Sequence, residues 1–291
     1  ERFFPVSDYN LAATLSSGQA FRWHQTGDAW EGVIGRRWVR LSGQADGIRA
    51  TVVEPVADWS WLVDYLQLDV PFADVLAAFP NDEPLGRAVE ECPGLRLLRQ
   101  EVWECLASFI LSSTKQIIQI RQIVGRLCER FGERVAGPAG VGPAWSFPGA
   151  GRLAAVSESD LRKCGMGFRA PYLQATARMV TVGEIKLDEL PGLSLDAARA
   201  ELLRLPGVGR KIADCVLLFA GGQPAAFPVD TWILKTLRQL YFDDLEVPPR
   251  EVVRFSETYF GPQAGYAQQY LFHAARQRAG KVEERPPGVR H

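Results

Sequence analysis

The sequence predicts an α+β chain: an antiparallel β-rich domain over residues 1–95, then a mostly α-helical body over residues 96–280. Three observations carry that expectation. Residues 18–54 alternate apolar and polar side chains in short runs broken by turn residues, the period of strands with one buried face. From Trp59 onward apolar residues recur at three- and four-residue spacing, the period of helices with one buried stripe. Leu205 to Gly209 forms a glycine-bounded hairpin between two such helices.

The strands read, in order, as FRWH from Phe21, AWEGVI from Ala29, RWVRL from Arg37 and GIRATVV from Gly47, with breaks at TGD from Thr26 and SGQADG from Ser42. Helices follow: WSWLVDYLQL from Trp59, FADVLAAF from Phe72 and LGRAVEEC from Leu85, the last stopped by Pro93-Gly94. EVWECLASFILS from Glu101 and QIIQIRQIVGRLCERF from Gln116 have the strongest helical pattern, and residues 132–151 form a Gly/Pro-rich linker. Ser157 caps the segment DLRKCG from Asp160, and Pro171 opens YLQATARMV from Tyr172. DAARAELLRL from Asp196 and the run from Arg210 to Ala220 flank the hairpin. DTWILKTLRQLY from Asp230, PREVVRFSETYF from Pro249 and AGYAQQYLFHAARQ from Ala264 complete the helices, and residues 281–291 read as a flexible tail.

Composition sets broad limits. With 47% apolar and 23% charged residues, the 291-residue chain is ordinary globular material. Apolar runs such as VLLFA from Val216 fall far short of the roughly 18 residues needed to span a bilayer, and no basic-then-apolar leader is recognised. Five cysteines, an odd number without a CxxC pair, predict no disulfide framework and a reducing compartment. The expected location is the cytoplasm, with the chromosome, in a bacterium, or the nucleus in a eukaryote. Histidines 24, 273 and 291 are too widely spaced to suggest a zinc site, and no metal is expected. The net charge of −1 conceals a split: residues 1–95 hold 7 Lys/Arg against 14 Asp/Glu, a net of −7, and residues 96–291 hold 26 against 20, a net of +6. A basic half suits a phosphate backbone, with the acidic half turned away.

The segment LPGVGRKIADCVLLFAGGQPAAFPVD, Leu205 to Asp230, concentrates the chemistry. Gly207 and Gly209 allow backbone amides to approach a phosphate, and the following helix offers unpaired N–H groups and its positive end. Lys211 lies in that helix's first turn, and Asp230 follows the next Pro-flanked turn. A passive grip on DNA requires neither the amine nor the acid.

LPGVGRKIADCVLLFA followed by PVD resembles the helix-hairpin-helix, Gly/Pro-Asp element of the base-excision DNA glycosylases, in the 8-oxoguanine glycosylase/AP lyase branch. LSSGQAFRW from Leu15, ECLASFILSS from Glu104, LRKCGMGFRAPY from Leu161 and AGYAQQYLF from Ala264 resemble the same branch, so the likeness runs from residue 15 to 272. It implies a body of two helical subdomains with the hairpin at their cleft. It also implies a bifunctional enzyme that excises 8-oxoguanine from duplex DNA through a lysine Schiff base and cuts the strand by β-elimination. No organic cofactor is expected, nor an iron–sulfur cluster. The implied partner is double-stranded DNA containing a damaged base, bound by a monomer away from membranes. A glycosylase for another damaged base and a non-catalytic helix-hairpin-helix DNA-binding protein are the competing readings.

By the resemblance, Lys211 is the nucleophile and Asp230 the carboxylate that steadies charge on the sugar, a role compatible with capping the helix it opens. Asp214 is read as a structural partner. Gly18 matches a glycine whose carbonyl senses the extra imidazole-ring proton of 8-oxoguanine, or it is a plain turn glycine. Gln268 matches a reader of the base's Watson–Crick edge, or lies on a helix surface. Phe272 and Cys215 match the two faces of the base slot or are ordinary core, and Phe219 lines the same slot. Phe168 and Arg169 resemble the wedge and the reader of the orphaned cytosine, with a phosphate contact as the alternative for Arg169. Three positions depart from the eukaryotic-type pattern: Thr114 where an asparagine is usual, Ile118 for an arginine, and Trp232 for a histidine near a phosphate. Arg22 and Trp23 are expected to hold the strand domain against the body.

Overall fold

The computed structural model describes residues 1–112, 115–243 and 245–280. Strands β1 (Arg2–Pro5), β2 (His24–Thr26), β3 (Ala29–Ile34), β4 (Arg37–Gln44) and β5 (Gly47–Val52) form one sheet in the order β1-β5-β4-β3-β2, antiparallel throughout. Its pleat sorts the side chains. Val39, Leu41, Ile48 and Ala50 point into a core, whereas Arg40 pairs across the other face with Glu31 at 3.2 Å. Helix α1 (Leu11–Ser16) begins at Asn10, whose side chain accepts the Ala13 N–H. Helix α2 (Ser60–Leu66) presses Leu62, Tyr65 and Leu66 onto the sheet beside Trp23 and Leu98.

The remaining helices are α3 (Phe72–Ala77), α4 (Glu83–Glu91), α5 (Val102–Leu111), α6 (Ile117–Phe131), α7 (Ala150–Ala155), α8 (Glu158–Leu161) and α9 (Ala170–Thr181). They continue as α10 (Leu195–Leu203), α11 (Arg210–Phe219), α12 (Thr231–Tyr241), α13 (Pro249–Tyr259) and α14 (Ala264–Arg278). Helices α5 and α11 form the axis of this body. Every residue from Cys105 to Leu111 and from Ile212 to Phe219 is buried. The two run antiparallel: Gln100 N–H donates to Phe219 O at one end, and Lys211 reaches Ser112 at the other.

The structure differs from the sequence expectation in four places. Residues 21–23 bend rather than extend, because Phe21 turns into the helical core against Phe109, 5.4 Å between ring centroids, while Trp23 enters the sheet core and donates to Tyr65. The linker over 132–151 contains a small ladder of β6 (Arg134–Val135) and β7 (Ala144–Trp145) and the start of α7. DLRKCG leaves the α-helix after Leu161 in a wide turn through Met166, and Ser157 caps α8 as expected. The apolar cores do not divide at residue 95: α2 packs on the sheet, but Phe72, Val75, Leu85 and Ala88 lie in the helical core. The expected tail at 281–291 lies outside the described residues.

Two polar devices join the parts. Arg22 pairs with the half-buried Glu104 of α5 at 3.0 Å and donates to Trp145 O, so it does bridge strand domain and body; Trp23 serves the sheet core alone. Asp82 caps α4 through Leu85 N–H at 2.8 Å and accepts the Tyr241 and Tyr259 hydroxyls at 3.0 and 3.1 Å, tying α4 to α12 and α13. Asp82→Ala removes the cap and strands the Tyr241 hydroxyl, so urea unfolding should show a loss of about 2–3 kcal/mol.

Candidate active site

The hairpin occurs where α10 and α11 meet. Gly207 has φ +76°, and a Cβ there would lie 2.8–2.9 Å from the Tyr172 ring. Thr176 donates to Pro206 O at 3.3 Å, so the hairpin is fastened to α9. Gly209 is the N-cap of α11 at φ −97°, with open space where a Cβ would stand. Helical geometry leaves the first N–H groups of α11 without intrahelical partners, at the positive end of its dipole. Asp214, 2% exposed, binds Arg199 of α10 at 2.7 Å and Arg210 at 3.6 Å. It is thus a structural tie between the two hairpin helices.

Lys211 projects from the first turn of α11. Its Nζ donates to Ser112 Oγ at 3.3 Å and lies 5.0 Å from the centroid of Phe109. Ser112 Oγ in turn donates to Phe109 O at 2.7 Å, which leaves its lone pairs for the amine. Asp230 caps α12 through a 2.8 Å bond from Ile233 N–H. Cys215, one turn beyond Lys211, feels both groups. Burial pushes its thiol up to about 12, against an opposing pull from Lys211, and the Asp230 charge adds to the rise. Cys215 is therefore a neutral thiol at neutral pH. Phe219 is 4% exposed and stacked on Phe109 at 5.6 Å, continuing the aromatic floor beneath Lys211.

Gln268 and Phe272 share one face of α14. Gln268 is 4% exposed and its Oε1 has no hydrogen-bond partner among the described residues, a costly state for a buried acceptor unless a ligand completes it. Phe272 is partly buried against the helical core, with the Arg276 guanidinium 5.5 Å from its ring. Gly18 has φ +86°, and a Cβ there would meet Ile117 Cδ1 at 2.5 Å and approach Arg276 Nη1 to 3.7 Å. Arg276 therefore lies between Gly18 and Phe272, bringing the loop residue to the helix.

Phe168 is 55% exposed, and the Arg169 guanidinium lies 4.5 Å from its ring and 5.8 Å from that of Tyr172. Tyr172 is thus shared by the Arg169 segment and the hairpin glycine. Ile118, 51% exposed, lies in the first turn of α6. Trp232 is half-buried in the first turn of α12, next but one to Asp230. Thr114 lies outside the described residues. Sequence reasoning missed Ser112 and Phe109 as partners of Lys211, although both fall within ECLASFILSS at i, i+3 spacing. Among the described residues no cluster of His, Cys, Asp or Glu is arranged to hold a metal ion, and no helix is long and apolar enough to cross a membrane.

Residues 3–106 match the family model for the 8-oxoguanine DNA glycosylase N-terminal domain, and residues 107–262 match that for the HhH-GPD superfamily base excision DNA repair protein. The chain is 32% identical to the N-glycosylase/DNA lyase of Arabidopsis thaliana, over 94% of this chain and 80% of that protein. It is 31% identical to the probable N-glycosylase/DNA lyase of Methanothermobacter thermautotrophicus, over 98% and 99%. The solved 8-oxoguanine glycosylase/lyase of Clostridium acetobutylicum, in complex with double-stranded DNA containing cytosine opposite 8-oxoguanine, superposes with a TM-score of 0.89 at 28% identity, over 96% of this chain and 99% of that one.

Gly207→Ala forces a left-handed backbone onto alanine and a clash with Tyr172, so it should cost about 1–3 kcal/mol in thermal or urea unfolding. Gly209→Ala, with negative φ and open space, should cost less, about 1 kcal/mol or below, from the poorer N-cap alone. All five cysteines are free and buried. Ellman's reagent should therefore label none rapidly in the native protein and all five after unfolding.

Proposed function

The chain belongs to the HhH-GPD superfamily of base-excision DNA repair proteins, closely related to the 8-oxoguanine glycosylase/lyases, and from that membership we propose that it removes 8-oxoguanine from duplex DNA through a Schiff base on Lys211. The observation that carries the proposal is the setting of Lys211. Its amine stands just behind the hairpin, held by Ser112 over Phe109, with Cys215 within electrostatic reach of both Lys211 and Asp230.

The hairpin amides and the N-terminus of α11 hold the phosphate backbone without reading sequence. The damaged nucleotide leaves the stack, because its glycosidic bond is inaccessible inside the duplex. Phe168 fills the space left behind, and Arg169 donates to the acceptors of the orphaned cytosine. In the slot, the Gly18 carbonyl accepts the lesion's extra ring N–H, a donor guanine lacks. The open Oε1 of Gln268 accepts from the Watson–Crick edge, and Phe272 and the Cys215 side take the two ring faces. Trp232 donates its indole N–H toward a phosphate beside Asp230.

Chemistry begins as the C1′–base bond breaks. Its electron pair departs with the base, which takes up a proton, and positive charge develops on the sugar. Asp230 stabilises that charge. The Lys211 amine adds to C1′ and loses a proton, and the ring oxygen leaves with its bonding pair and takes up a proton as a hydroxyl, giving the protonated Schiff base. Loss of a C2′ proton then expels the 3′ phosphate and cuts the strand.

Borohydride should trap a covalent complex on duplexes bearing 8-oxoguanine and none on undamaged duplex. Lys211→Gln should abolish trapping while DNA binding persists. Asp230→Asn should slow base release about a hundredfold or more. With Arg169 reading the orphaned base, trapping should be strongest opposite cytosine. Absence of both trapping and base release on 8-oxoguanine would overturn the assignment.

A further inference from the structure

The loop carrying Gly18 is held by a set of glutamines. Gln19, fully buried, donates through Nε2 to Thr14 O at 3.0 Å and Arg96 O at 2.8 Å, and its Oε1 accepts Leu98 N–H at 2.7 Å. Gln100 Nε2 donates to Gln19 O at 2.7 Å. On the other side of Gly18, Gln269 Nε2 donates to Ser17 O at 3.3 Å. The peptide groups on both sides of the Gly18 carbonyl are therefore pinned. Gln19 and Gln100 tie the loop to the segment between α4 and α5. Gln269 ties it to α14, where it is the immediate neighbour of Gln268.

Gln269 is 2% exposed, so its bond to Ser17 O forms out of water, where a lost partner leaves a carbonyl unsatisfied. Adjacent residues on a helix point about 100° apart. One glutamine therefore faces the slot with an open acceptor while the next reaches the loop. We infer that Gln269 is a positioning residue for base selection: through Ser17 it sets the distance between the Gly18 carbonyl and Gln268, and so the discrimination of 8-oxoguanine from guanine. The inference rests on the substrate reading proposed above. An oxidised guanine differs from guanine at that ring N–H and at the 8-oxygen, so a loop shifted by a few tenths of an ångström weakens the bond that separates them. Such a shift leaves the grip on the backbone intact, because the hairpin and α11 are fastened elsewhere, to α9 and α10.

The test uses Lys211→Gln protein, which binds without reacting. Equilibrium affinities are measured for three duplexes opposite cytosine: 8-oxoguanine, guanine and an abasic analogue without a base. Gln269→Met keeps shape and removes the donor. It should lower the 8-oxoguanine/guanine affinity ratio about fivefold, with abasic-duplex affinity unchanged. If Gln269→Met does not fold, Gln269→Asn, which keeps a polar amide but withdraws it by one methylene, should give the same pattern. An unchanged ratio overturns the inference, as does a parallel fall on lesion and abasic duplexes, which marks a merely structural residue. If the Lys211→Gln parent itself shows no preference for 8-oxoguanine, the substrate reading fails and the inference with it.

Discussion

The buried ion pair between Asp214 and Arg199 constrains the rest of the structure. Helix α11 must supply the centre of the helical core along most of its length and still present an amine and open N–H groups at its first turn. An apolar helix of this kind could slide or rotate against α5 and keep most of its burial, because burial is not directional. A carboxylate at 2% exposure cannot slide, since leaving it unpaired in the interior costs about 3–5 kcal/mol. The 2.7 Å bond to Arg199 therefore sets the rotation of α11 relative to α10, and with it the hairpin angle and the direction of Lys211.

Once α11 is oriented, its neighbours follow by local geometry. Lys211, Cys215 and Phe219 recur at i, i+4 and i+8, so one face meets Ser112 and Phe109 of α5. The chain emerging from α11 turns back to bring Asp230 to the head of α12, where its cap bond holds the carboxylate in place. A single oxygen of Asp230 accepts that bond.

Legibility in the sequence varied with the range of the interaction involved. Strand β3 and the hairpin were read correctly because their signals are local: alternation over six residues, and glycines bounding a turn. Strand β1 was missed because RFFP does not alternate and ends in Pro, and α1 because six residues are too few for a helical period to emerge. The interleaving of the two apolar cores around residue 95 was not legible, because cores are divided by packing partners chosen far along the chain. At the candidate site, the motifs single out Lys211, Asp230 and Gln268, but not the side chains packed around such residues. Ser112 lies 99 residues from Lys211, and Ser17 lies 252 residues from Gln269. No periodicity encodes such pairs.

The packing of α4 against α14 bears on how the chain acquires its structure. Tyr270 donates to Leu95 O at 3.1 Å, and Arg278 forms a 2.7 Å ion pair with Glu91, so the two helices close a loop of well over a hundred residues. Contacts of such long range are entropically expensive to form and slow the search for the native state. During synthesis the sheet and α2 have their partners early, whereas α3 and α4 leave the ribosome with their apolar faces uncovered until the last helix follows. That helix also carries Gln268, Gln269 and Phe272. Completion of the helical core and arrival of the α14 residues proposed to read the base are thus one late event, so the proposed site cannot assemble ahead of the fold that carries it.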